Sequence, residues 1–241
     1  MDHLLELGSA MSGFAELVGK ASGDELVEAC PDWNVRDLTV HLGTVHRWAA
    51  AIVLSGQRVE APTPVVGEPI VDWYAGTATA LLSALQAVSP DEPTPNYSHL
   101  NERAQFHHRR QMHEATVHSV DAAQALGRDE SEWVVPSAIA ADGVDEVIQV
   151  LFPRMTAGGR RPDVRCRIRL TATDTGQEWL IGPGSGEFSP PLQLHPSYDA
   201  DVSVTGTASD LYLALWHRVP RFRLEFDGTD GLVLFDGPTT P

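Results

Sequence analysis

The hydrophobic period of this chain changes once, near its middle, and that change limits the fold more than any single motif. In the first half, apolar residues recur at the 3.6-residue spacing of a helix. Leu4, Leu5, Leu7, Met11, Phe14, Leu17 and Val18 make one stripe, predicting a helix from Asp2 to about Val18. Pro31 interrupts the chain, and Asn34 then stands as an N-cap with Asp37 three residues on as its capping partner. That pair starts a second helix, over about Val35 to Leu54, which Gly56 and the run Ala61-Pro62-Thr63-Pro64 bring to an end. A third helix is expected over Ile70 to Val88 and a fourth over Glu102 to Leu126, with Gly127 as its stop. Four amphipathic helices of similar length imply a bundle, and bundle cores are a common place for metal sites.

Beyond about residue 130 the pattern is different. Ala138 to Met155 reads as a connecting helix, after which Val164-Arg165-Cys166-Arg167-Ile168-Arg169-Leu170 alternates in the manner of a half-buried strand. Glu178 to Ile181, Ala200 to Val204, Phe222 to Phe226 and Leu232 to Phe235 are further expected strands, with a short helix over Ser209 to His217. The fold class is therefore α+β, with a helical bundle over residues 1–130 and a smaller α+β domain over 131–241.

Charge and cysteine content exclude several functions. The net charge of −16 is wrong for a protein that grips nucleic-acid phosphates or an anionic membrane surface. The two cysteines, Cys30 and Cys166, are too few for a disulfide framework or a cysteine zinc site, and both read as structural. No basic, apolar leader is visible at the start, so the expected location is the cytoplasm.

Chemistry concentrates on the fourth helix. Glu114 and His118 are four residues apart and so share a face, one turn from each other, with Asp121 a further turn along. A carboxylate and an imidazole so placed suit one divalent ion. A solvated face is the plainer reading, and Arg110, four residues before Glu114, offers a simple salt bridge. The second helix adds His41, beside the stripe of Leu38, Leu42, Val45 and Trp48. It is either a hydrogen-bonded core histidine or a third ligand. Two histidines and one glutamate would leave a metal with open positions. His46 is roughly 140° round the helix from His41, so it should not join it at one ion and reads as a surface or supporting residue. Asp121 is either a surface acid or the group that orients His118 through its other ring nitrogen. Arg218, Arg221 and Arg223 are either exposed strand-edge residues or contacts for an anionic substrate, and Tyr212 and Trp216 read as core.

Two segments, CPDWNVRDLTVHLGTVHRWAA and RRQMHEATVHSVDAAQALG, followed by AADGVDEVIQVLFPRM, resemble the mycothiol-dependent maleylpyruvate isomerase family. The stretch VSVTGTASDLYLALWHRVP with LEFDGTDGLVLFDG extends the resemblance through the second half. It implies a DinB-like four-helix bundle joined to a domain similar to sterol carrier protein 2. It places the family's metal ligands on His41, Glu114 and His118, usually around zinc. It also implies a low-molecular-weight thiol, mycothiol in actinobacteria, as co-substrate, and a small electrophile that is isomerised or S-conjugated. The resemblance assigns no residue to the thiol or the substrate, and a monomer or homodimer is expected. His107 and His108 depart from the family's usual residues, and His107 stands two turns before Glu114. The rival readings are a hydrolase or a non-haem iron oxygenase on the same bundle, or a binding or regulatory protein that keeps the bundle as a scaffold.

Overall fold

The computed structural model describes residues 1–64, 69–98, 102–186, 189–237 and 240. The chain divides into two compact units, Met1–Val134 and Val135–Pro241.

The first unit is built from helices α1 (His3–Val18), α2 (Val35–Ser55), α3 (Ile70–Ala87) and α4 (Gln105–Ala125). Each start has a local cause. The Asp2 side chain accepts from the backbone N–H groups of Leu4 and Leu5. Asn34 and Asp37 form a reciprocal capping box at α2, as their spacing predicts. Gly56 closes α2 in the left-handed conformation that glycine adopts without strain. Helix α4 starts three residues later than expected because it has no side-chain cap. Residues before it turn back on the loop after α3 instead, with Ala104 N–H donating to the Glu92 carbonyl and Gln105 N–H to that of Pro90. The loop thus satisfies donors that a helix end leaves open.

Helix α1 packs along α4, and α2 packs against both α3 and α4. Leu7, Met11 and Phe14 of α1, Leu38 and Leu42 of α2, Leu81 and Leu85 of α3, and Met112 of α4 are buried between them. Each such side chain contributes roughly 1.5–3 kcal/mol by leaving water. Gly43 of α2 leaves room for a side chain of α3: a Cβ there would lie 2.5 Å from the Trp73 ring.

The second unit opens with α5 (Ser137–Glu146), a π-helical stretch over Val147–Leu151, and α6 (Phe152–Ala157). The widening has a cause in Pro153, which has no N–H for the Gln149 carbonyl and would press its ring against it. The sheet order is β3-β2-β1-β4-β5, with β1 (Ile168–Ala172), β2 (Glu178–Gly182), β3 (Leu192–Leu194), β4 (Val202–Gly206) and β5 (Glu225–Asp227). Strand β1 is antiparallel to β2 and parallel to β4, so Leu170 faces both Trp179 and Val204. Helix α7 (Ala208–Leu215) lies against α5, where the Tyr212 ring fills the space that a side chain on Gly143 would need. Trp179 Nε1–H donates to Asp145 at 2.9 Å, tying β2 to α5.

This is the α+β class that the periodicity predicts, with local corrections. The alternation from Val164 becomes a strand only at Ile168. Strand β3 was not expected. Residues Arg221–Arg223 form a 3-10 turn, and only Glu225–Asp227 of the expected strand pairs with β4. Leu232 to Phe235 is no strand at all: it ends a 3-10 turn and enters the short helix α8 (Val233–Asp236). A four-residue apolar run has too few periods to distinguish the two.

Candidate metal centre

Helix α4 is polar yet deeply packed. Arg110, Gln111, His113, His118 and Asp121 are all buried, as are His107 and His108 in its first turn. A buried polar group without a partner costs free energy, so such a helix must pair its side chains with one another or with its neighbours.

One turn of α4 does this around Glu114. Its Oε1 lies 3.3 Å from His41 Nε2 on α2 and 3.4 Å from His118 Nε2 on its own helix. Its Oε2 accepts from Arg110 Nη2 at 2.5 Å. The salt bridge to Arg110 thus occupies one carboxylate oxygen of Glu114 and leaves the other facing the two imidazoles. His118 turns its other nitrogen, Nδ1, to Asp121 Oδ2 at 2.9 Å. Asp121 is 1% exposed, which removes the surface-acid reading. The His41 and His118 rings meet edge to face at 5.1 Å.

The donor set fits a divalent ion. Tetrahedral zinc with donors at about 2.1 Å holds neighbouring donors about 3.4 Å apart. Both separations from Glu114 Oε1 are of that size, and the donor atoms of His41, Glu114 and His118 all lie within 4.8 Å of one another. Among the described residues no other cluster of three histidine, cysteine or acidic side chains has this geometry. The side chain of His41 is 34% exposed, so the cluster opens toward solvent on the α2 side.

The electrostatics of the metal-free protein follow from the same contacts. Burial alone would raise the Glu114 carboxyl, but the Arg110 guanidinium and the two imidazoles overcome it and hold it well below the usual carboxylate range. Burial alone would lower His118, but hydrogen bonds to Asp121 and Glu114, and the charge of both, push it up to about 9. Without a metal, His118 is thus an imidazolium held between two carboxylates.

Two neighbours of the cluster were not read as part of it from sequence. The Trp33 ring lies 4.8 Å from that of His41. Its signal was its place just before the Asn34 cap, eight residues ahead of His41. Cys30, read as structural, has its Sγ 3.9 Å from Asp121 Oδ2, a contact across 91 positions that no local pattern announces. His46 is not on the surface. It is fully buried, with Nδ1 2.9 Å from Gln111 Oε1 and Nε2 3.4 Å from the Tyr74 hydroxyl. It ties α2 to α4 and α3 and stays outside the triad. His107 holds the loop after α3 through the Pro95 carbonyl at 2.9 Å and does not join the cluster.

In the second unit, Arg221 pairs with Asp236, Arg223 lies 3.3 Å from Asp210, and Arg218 donates to the Trp216 carbonyl at 2.7 Å. Tyr212 and Trp216 are core residues. No described helix is long and apolar enough to cross a membrane.

Residues 4–123 match the family described as the mycothiol maleylpyruvate isomerase N-terminal domain, and residues 138–234 match the C-terminal domain of the same family. No curated protein matches the chain. A crystal structure of the mycothiol-dependent maleylpyruvate isomerase is similar to it with a TM-score of 0.63 at 13% identity, covering 99% of this chain and 95% of the other. A histidine-to-alanine variant of that enzyme gives a TM-score of 0.62 at 14% identity, with the same coverage. At such identities the likeness speaks for the fold.

Proposed function

Because the chain belongs to the mycothiol maleylpyruvate isomerase family in both of its domains, we propose that it is a divalent-metal enzyme that uses a thiol of the mycothiol type to isomerise a small electrophilic alkene. The observation that carries this reading is the convergence of His41, Glu114 and His118 on one point.

His41 Nε2, Glu114 Oε1 and His118 Nε2 would hold the ion, zinc by the make-up of the donor set. Bound there, the ion would supply the Lewis acidity that lets a thiol sharing the site lose its proton at neutral pH. The chain's own residues supply the rest. Asp121 accepts the Nδ1–H of His118 and so leaves the Nε2 lone pair for the ion. The Trp33 ring backs His41 and limits how far it can turn. The capping box of α2 fixes where the helix begins, hence the height of His41 against α4.

The reaction needs no redox partner. The thiolate sulfur adds to one alkene carbon, and the π pair moves onto the conjugated carbonyl. The former double bond is now single and rotates. The pair then returns, the C–S bond breaks, and the thiolate leaves unchanged beside the trans product. The same start serves S-conjugation if a proton traps the adduct first.

The test is metal analysis and turnover of the full chain beside His118→Ala. Alanine is a good helix former, so α4 should persist. The expected result is about one equivalent of metal and thiol-dependent cis-to-trans conversion in the wild type, and loss of both in the variant. Product heavier by the mass of the thiol would identify a transferase. Equal turnover with and without thiol would move the assignment to a hydrolase or oxygenase.

A further inference from the structure

Arg110 is buried beside the proposed ligands: its side chain is 5% exposed, and Nη2 is 2.5 Å from Glu114 Oε2. The other oxygen, Oε1, faces both imidazoles. From this division we infer that Arg110 is a positioning residue that keeps Glu114 a one-oxygen ligand and leaves room, and positive charge, for the anionic thiol. The inference rests on the metal–thiol reading above and deepens it.

Two physical arguments support it. The first is steric. A carboxylate can bind one metal through both oxygens, which would fill a position that an incoming thiol needs. A guanidinium presents its N–H donors in a rigid fork, and Arg110, one turn before Glu114, engages Oε2. The second argument is charge. Glu114, Asp121 and a divalent ion, with both imidazoles neutral, sum to zero. Arg110 adds one positive charge. A thiolate then brings the buried group to neutrality, whereas without Arg110 it would leave an uncompensated anion, which is costly in a low-dielectric site.

Arg110 and Asp121 therefore act in opposite senses. Asp121 strengthens His118 as a donor. Arg110 competes with the metal for Glu114, trading metal affinity for thiol affinity. A residue that only held the helices together would not separate these two quantities, since its loss would weaken both.

The experiment uses the full chain loaded with Co²⁺, with N-acetylcysteine as the thiol probe. Cobalt affinity is read by chelator competition and thiol binding by the sulfur-to-cobalt charge-transfer absorption. In Arg110→Gln, cobalt should bind at least as tightly as in the wild type, while half-saturation should need about tenfold more thiol, in line with the 10–100-fold effects typical of residues that orient ligands. Arg110→Lys keeps the charge without the fork and should fall between the two. Cobalt and thiol affinities that fall together, or a thiol affinity unchanged in Arg110→Gln, would overturn the inference while leaving the metal site standing. A wild type that takes up no cobalt would overturn the metal reading and this inference with it. If Arg110→Gln loses its helical circular-dichroism signal, X-ray absorption of the cobalt-loaded wild type decides: one carboxylate oxygen at bonding distance supports the role, and two refute it.

Discussion

Acidification should loosen the bundle through His46 before it reaches the carboxylates around the triad. His46 is fully buried, and burial lowers its pKa from 6.5 to about 4, against the smaller opposing pull of Gln111 and Glu114. The neutral ring fits its neighbours: Nδ1–H donates to Gln111 Oε1, and Nε2 accepts from the Tyr74 hydroxyl. Burial also pushes the Tyr74 phenol far up, so it remains a donor. Between pH 6.5 and about 4 the unfolded chain binds a proton here that the folded chain refuses. The stability is fully present above pH 6.5 and is lost as pH falls through the folded value. A shift of that size, 6.5 to about 4, corresponds to roughly 3 kcal/mol at 1.36 kcal/mol per unit. The measurement is urea unfolding of the metal-free wild type and His46→Gln, each from pH 7.5 to 4. Glutamine keeps a donor and an acceptor but does not titrate. The variant should be the less stable at pH 7.5, and the gap should close by about 3 kcal/mol toward pH 4 as the penalty on the wild type sets in. Carboxylates common to both proteins cancel in the difference. A gap independent of pH, or a His46 ring that titrates near 6.5 by NMR, would refute the reasoning.

Other outcomes follow from the same contacts. His118 carries the opposite sign: raised to about 9, it stabilises the metal-free fold below pH 6.5 and loses that contribution as pH rises through 9, so metal-free stability should decline above neutrality in the wild type but not in His118→Ala. Metal uptake at pH 7.5 should release close to one proton from His118, seen as calorimetric heats that scale with the buffer's ionisation enthalpy; heats independent of buffer would contradict a protonated His118. Asp121→Ala should cost about 10- to 100-fold in metal affinity, with the helical content retained, since His118 loses the partner of its Nδ1. Gly43→Ala should destabilise the fold by about 1–3 kcal/mol in thermal unfolding, because its Cβ meets the Trp73 ring at 2.5 Å.

The parts of this molecule that could be read from sequence are those set by local chemistry. The start of α2 was legible because Asn34 and Asp37 need only each other. The pairing of Glu114 with His118 was legible because helix geometry alone makes them neighbours. The lateness of α4 was not, since its first donors are satisfied by carbonyls of Pro90 and Glu92, a dozen or more residues upstream. Strand β3 was hidden for a related reason: Leu192–Leu194 is three residues long, largely exposed, and among the described residues paired only with β2, so it has neither length nor alternation to signal it. The choice between a surface and a supporting place for His46 could not be made from sequence, because the angle from His41 shows only that the two diverge. It does not show that Tyr74 and Gln111 wait on the other side.

Arg110 shows why competing sequence readings need not exclude each other. An arginine four residues before a glutamate is ordinarily a surface pair worth a few tenths of a kcal/mol. Here both side chains are largely removed from water, where leaving either charge alone would be expensive. The carboxylate has two oxygens, and the helix directs them to different partners: Oε2 to a guanidinium one turn earlier, Oε1 to an imidazole one turn later and another on α2. The salt bridge therefore weakens Glu114 as a ligand for the proposed metal without abolishing it. It removes one of its oxygens from competition and aims the other. A glutamate with no such partner would be freer to turn, to bind through both oxygens, or to pair with His118 alone. The polar stripe of α4 thus reads as one hydrogen-bonded chain from Arg110 through Glu114 and His118 to Asp121, and its order along the helix is what would give each end its opposite effect on the proposed ion between them.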